Sequence, residues 1–181
     1  TLDSINGNNG TIHGGVTYVD NVVGKAFNFN GTNGYISVPA SSSLDVGAGS
    51  GLTIECWIKP DHLGPVGAAG RPIAEYDTAS SIGVHFWVED GFRLYANIKD
   101  TAGADHTILS QAGNISTNTP SYVAVTYNKT NGNCFLYVNG VQVASNNFGN
   151  ITPQTTYPLY IGLSAANGYP GTGSLYNGML D

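Results

Sequence analysis

The chain has 181 residues, 41% of them hydrophobic and only 10% charged, which is enough apolar material for one well-buried domain and too much for a disordered chain. Six Lys and Arg against twelve Asp and Glu give a net charge of −6. No five-residue window holds a basic cluster, so a nucleic-acid partner bound through its phosphates is excluded. No apolar run approaches the roughly 20 residues of a membrane-crossing helix, and Thr1 opens directly into polar, turn-forming sequence without a signal peptide.

Strand patterning begins early and recurs along the whole chain. Alternating segments occupy residues 16–19, 26–29, 35–38 and 52–59, then 72–76, 83–88, 92–98 and 107–110. The last group is 122–127, 134–139, 141–144 and 159–162. Asn33-Gly34, Glu89-Asp90-Gly91, Asn131-Gly132 and Asn139-Gly140 fall between them as tight turns, because Asn and Gly adopt positive φ at low cost. Residues 134–144 read as a hairpin closed by the two-residue loop Asn139-Gly140. Residues 65–70 and 165–173 are Gly/Pro-rich loops. With no convincing helix and a dozen short strands, the pattern predicts an all-β sandwich in a single domain spanning residues 1–181.

Side-chain parity locates a candidate face. Val84, Phe86 and Val88 share one side of their strand and leave His85 and Trp87 on the other. In the next strand Phe92, Leu94, Ala96 and Ile98 share a face and leave Arg93, Tyr95 and Asn97 opposite. If Asp90-Gly91 closes these strands into a hairpin, His85, Trp87, Arg93, Tyr95 and Asn97 converge on one non-core face. Aromatic rings beside amide and charged hydrogen-bonding groups suit the apolar and hydroxyl faces of a sugar. Tyr169, in the Asn167-Gly168-Tyr169-Pro170-Gly171 loop, is a further ligand-binding candidate.

Cys56 and Cys134 lie in separate strand segments, where a disulfide and two buried thiols are both open readings. No CxxC spacing or His cluster accompanies them, so neither a redox centre nor a zinc site is indicated. Asn9, Asn30, Asn114, Asn128 and Asn150 satisfy the N-x-[ST] glycosylation pattern, which this Asn- and Thr-rich composition also generates unaided.

A family resemblance joins these segments. Gly24-Lys25-Ala26-Phe27-Asn28-Phe29-Asn30-Gly31 with Tyr35-Ile36-Ser37-Val38-Pro39 resembles the opening strands of laminin-G-like domains in the concanavalin A-like lectin/glucanase superfamily. Leu52-Thr53-Ile54-Glu55-Cys56-Trp57-Ile58-Lys59-Pro60 resembles the next strand with its near-constant tryptophan. Tyr122–Tyr127, Phe135-Leu136-Tyr137-Val138-Asn139-Gly140, Leu159-Tyr160-Ile161-Gly162 and Tyr176-Asn177-Gly178-Met179-Leu180-Asp181 follow in family order. The resemblance implies a jelly-roll β-sandwich of two curved antiparallel sheets. It also implies flanking strands before Thr1 and after Asp181, hence a piece of a longer chain attached to other domains.

Three functions are open to such a domain. The first is a non-catalytic, lectin-like carbohydrate-binding module of a secreted or cell-surface protein; the second is a protein-interaction or adhesion module. The third is a glycoside hydrolase, since glucanases on this fold carry two glutamates flanking an aspartate on one strand. Here Glu75-Tyr76-Asp77 is followed by Thr78-Ala79-Ser80 where the second glutamate should stand. A retaining mechanism needs both carboxyl groups, so Glu75 and Asp77 are read as polar residues on a solvated strand face and no catalytic residue is assigned. Family members often hold a structural calcium ion at the sandwich rim through hard oxygen ligands. The resemblance assigns that site to Asn30 and Asp181, with Asp3 as a looser candidate.

Overall fold

The computed structural model of the chain describes residues 2–21, 24–62, 70–78, 80–165 and 174–181. Among these residues, fourteen strands pair into two seven-stranded sheets. The front sheet contains β1 (Thr11–His13), β4 (Tyr35–Val38), β6 (Arg71–Asp77), β7 (Ile82–Glu89), β8 (Arg93–Asn97), β9 (Thr107–Leu109) and β13 (Leu159–Ile161). The back sheet contains β2 (Thr17–Asp20), β3 (Lys25–Asn30), β5 (Gly51–Pro60), β10 (Ser121–Asn128), β11 (Asn133–Val138), β12 (Val141–Asn147) and β14 (Asn177–Leu180). Their orders are β1-β4-β13-β6-β7-β8-β9 and β12-β11-β10-β5-β14-β3-β2, with every neighbouring pair antiparallel. This is the β-sandwich that the alternation and the turns predict, in the jelly-roll form that the family resemblance implies.

Period-two alternation fills the space between the sheets. Ile36, Val84, Phe86 and Leu94 project from the front sheet, and Phe29, Ile58, Val125 and Leu136 from the back, all fully buried. Burying each such side chain contributes roughly 1.5–3 kcal/mol. Trp57 of the family-like strand faces outward instead, with its ring edge on Tyr122 at 5.4 Å between centroids. Both cysteines are free thiols. They lie on β5 and β11 with β10 between them, which puts two strand spacings, about 9.6 Å, in the way of a bond. Burial pushes both thiols up to about 12.

Turn chemistry sets the hairpins. Asn139 and Gly140 both take positive φ (51° and 79°), as a tight hairpin turn requires. The strand after Asp90-Gly91 starts at Arg93 rather than Phe92, because Phe92 is drawn into the turn with φ 62°. β1 is an element the alternation did not announce, being only three residues long. Among the described residues no helix is long and apolar enough to cross a membrane.

Candidate functional site

The outward face of the front sheet carries an unbroken polar row. Register aligns Thr11, Ser37, Tyr160, Glu75, His85, Asn97 and Thr107 across β1, β4, β13, β6, β7, β8 and β9. One step along the strands, Trp87 on β7 is in register with Tyr95 on β8. The parity expected for His85, Trp87, Arg93, Tyr95 and Asn97 is thus the parity observed: the intervening Val84, Phe86, Val88, Leu94, Ala96 and Ile98 are core residues.

Three rings form a compact cluster on this face. His85 lies 5.0 Å from Trp87 and 5.7 Å from Tyr95, and Trp87 lies 6.4 Å from Tyr95, all between ring centroids. His85 is buried beneath the other two, with Nδ1 3.0 Å from the Gly83 carbonyl oxygen, so Nδ1–H donates there. Its burial lowers its pKa and keeps the ring neutral. Trp87 and Tyr95 are half-buried, with part of each ring open to solvent. Burial, with Glu89 and Asp105 nearby, raises the Tyr95 phenol to about 12, so it remains a hydroxyl donor. Across β6, His13 stacks on Tyr35 at 4.3 Å and 9°, and Tyr35 meets Tyr160 at 6.2 Å.

Glu75 and Asp77 depart from the solvated positions expected for them. Both are wholly buried. Trp87 Nε1–H donates to Glu75 Oε2 at 2.8 Å, and the Ser164 hydroxyl donates to Oε1 at 2.8 Å. The Ala165 backbone N–H donates to Asp77 Oδ2 at 2.6 Å. Burial first, then the hydrogen-bonded Asp77 carboxyl, push Glu75 up to about 9, so it is a neutral carboxylic acid at neutral pH. Strand parity correctly puts Glu75 on the non-core face. The cover comes from Ser164, 89 residues further along the chain, which no local pattern announces.

Two of the expected ligand-binding residues are committed elsewhere. Asn97 is 4% exposed; its Nδ2 donates to Asp105 Oδ1 at 2.8 Å and its Oδ1 accepts the His106 N–H at 3.0 Å. Its amide therefore pins the loop between β8 and β9 and has no free end for a ligand. Arg93 is held by Asp90, through Nε to the backbone carbonyl at 2.9 Å and through its guanidinium to the carboxylate. Tyr169 lies outside the described residues.

The residues assigned to calcium are not brought together. Asn177 pairs with Asn30, so Asp181, four residues on, lies at the far end of the β3–β14 pair, about 13 Å away. Asn30 Oδ1 accepts the N–H groups of Thr32, Asn33 and Gly34, at 3.1, 3.1 and 3.0 Å, and so shapes its own turn. Asp181 takes the Asn21 amide at 2.8 Å. Asp3 accepts the N–H groups of Ile5, Asn6 and Asn8, which lower its pKa. Asn30 and Asp181 thus stand at opposite ends of the strand pair, and no group of three His, Cys, Asp or Glu suited to a metal occurs among the described residues.

With this architecture in view, the chain belongs to the concanavalin A-like lectin/glucanases superfamily, whose laminin G-type family model matches residues 30–181. Among solved structures it is similar to the binding domain of Paraclostridial Mosquitocidal Protein 1, at TM-score 0.75 and 21% identity, covering 98% of this chain and 44% of that one. It is similar also to domain 4 of AbnA, a GH43 extracellular arabinanase from Geobacillus stearothermophilus in complex with arabinotriose, at TM-score 0.64 and 19% identity over 95% and 79% of the two chains. A third likeness is the binding domain of botulinum neurotoxin DC in complex with SialylT, at TM-score 0.65 and 15% identity over 84% and 38%. The chain thus spans less than half the length of the toxin binding domains. At these identities the likeness is one of fold. No curated protein matches the chain.

Proposed function

We propose that this chain is a non-catalytic carbohydrate-recognition module, carried by a secreted or cell-surface protein of several domains. The observation that carries the reading is the half-buried Trp87–Tyr95 pair on the non-core face of the front sheet, backed by the buried Glu75 that fixes the indole. Two ring faces at this separation offer a surface for the C–H faces of a sugar, with the Tyr95 hydroxyl and nearby polar groups for its hydroxyls. That two similar structures hold arabinotriose and SialylT supports a sugar as the ligand class.

The carboxyl pair supports a binding rather than a hydrolytic role. Glu75 is enclosed, and both its oxygens accept hydrogen bonds from the protein itself. A glycosidase needs two carboxyl groups flanking the scissile bond and reaching the substrate. Here the acid supports the aromatic platform and does not face a ligand.

A glycan array probed with the intact domain and with Trp87→Ala tests the proposal. The wild type is expected to retain a defined set of glycans, with the signal reduced at least about tenfold by the substitution, consistent with the loss of one stacking contact. Silence across neutral and acidic glycans would sink the reading and favour the protein-interaction alternative.

A further inference from the structure

The outward face of the back sheet carries a second concavity, on the opposite side of the sandwich from Trp87. Register sets Thr53 on β5, Thr126 on β10 and Phe135 on β11 in one transverse row. Tyr137 follows two residues along β11, with Ala124 opposite it on β10. The middle of this face is therefore paved by small side chains and walled on one side by two rings. Phe135 and Tyr137 are both half-buried, 6.2 Å apart between centroids and tilted at 55°. The resulting groove has a volume of about 470 Å³, within the range of small-ligand sites.

The floor is kept open by the backbone. A Cβ at Gly51 would meet the Tyr127 carbonyl oxygen at 2.2 Å, so no side chain stands at that end. Asn133 lines the groove, and its Oδ1 accepts the Asn147 amide at 2.8 Å. The hydroxyls of Thr53, Thr126 and Tyr137 stand at the same groove. No lining residue is charged, although the molecule carries net −6. Glu55, opposite Ala124 in the next row, is the nearest acid on this face, so an anion gains no counter-charge from the groove. Ring faces, hydroxyls and an amide together match a neutral sugar chain.

We propose that this groove is a second carbohydrate site, taking a neutral oligosaccharide across Phe135 and Tyr137, independent of the Trp87 platform. Two sites on opposite faces of one module would let it bridge two chains of a polysaccharide or raise its avidity for one.

Titration calorimetry with neutral trisaccharides (arabinotriose, xylotriose, cellotriose and maltotriose) tests this on four proteins: wild type, Trp87→Ala, Tyr137→Ala and Thr53→Trp. Thr53 is exposed, so a tryptophan there fills the groove without removing any core contact and covers the case in which Tyr137→Ala folds poorly. At least one trisaccharide should bind the wild type and Trp87→Ala at the groove, and bind it about tenfold more weakly or not at all in Tyr137→Ala and Thr53→Trp. If only the Trp87 platform binds, Trp87→Ala abolishes the heat while the two groove variants match the wild type, and the groove proposal is overturned alone. Absence of heat in every protein with every probe overturns it as well.

Discussion

Glu75 is the residue on which the front face turns. In the folded protein it holds its proton up to about 9, whereas an unperturbed glutamate releases it near 4.5. Between those values the folded state carries the extra proton, so its contribution to stability is complete below about pH 4.5 and is lost progressively as pH rises toward 9. His85 acts in the opposite sense, since its lowered pKa costs stability as pH falls below 6.5. From about pH 7 to about pH 8 His85 is mostly neutral in both states and the thiols are mostly protonated in both, so Glu75 dominates the slope. Thermal unfolding in that window should show the melting temperature of the wild type falling with pH, and Glu75→Gln should flatten the slope. An equal slope in both proteins would mean that Glu75 is ionised in the fold.

At the scale of elements, the β7–β8 hairpin was legible from two alternating strands, Asp90-Gly91 between them and an apolar side that holds from Leu94 onward, while Phe92 left that side for the turn. What alternation cannot show is whether a non-core side chain reaches solvent. Asn97 and Glu75 both have the parity expected of them, yet the loop ahead of His106 closes over one and Ser164 over the other. Asn30 illustrates a signal that was available, since Asn30-Gly31-Thr32-Asn33-Gly34 has the composition of a turn capped by its own asparagine. The β11–β12 hairpin offers a direct check on turn chemistry. Asn139 combines φ 51° with a side-chain oxygen that accepts the Tyr122 N–H at 2.9 Å. Asn139→Ala forfeits both and should cost roughly 1–2 kcal/mol. Thermal denaturation would read this as about 2–4 °C per kcal/mol for a chain of this size; no measurable loss would mean the turn does not depend on Asn139.

For the whole molecule, family order of the strand motifs reached the correct architecture, because a jelly roll is specified by the sequence of alternating segments and turns. The ligand class was less legible, since it depends on which face is left open once distant segments pack. The back groove is lined by uncharged residues and the front face has its Arg93 paired with Asp90, on a molecule whose net charge is −6. Affinity for a neutral glycan should therefore change little between about 0.05 and 0.2 M salt. A partner held by charge would weaken steeply over that range. Salt-dependent titrations with a glycan retained on the array distinguish the two.

The central claim is that the front face binds sugar through Trp87, and the two indole N–H resonances of the domain report on it most directly. Trp57 lies on the back sheet beside Tyr122, and Trp87 is hydrogen-bonded to Glu75 on the front. In a nitrogen–proton correlation spectrum, titration with a retained glycan should shift the Trp87 indole signal saturably, and Trp87→Ala should remove that signal together with the front-face affinity. Saturable binding that leaves the Trp87 indole unmoved in Tyr137→Ala, where the back groove is removed, would contradict the account.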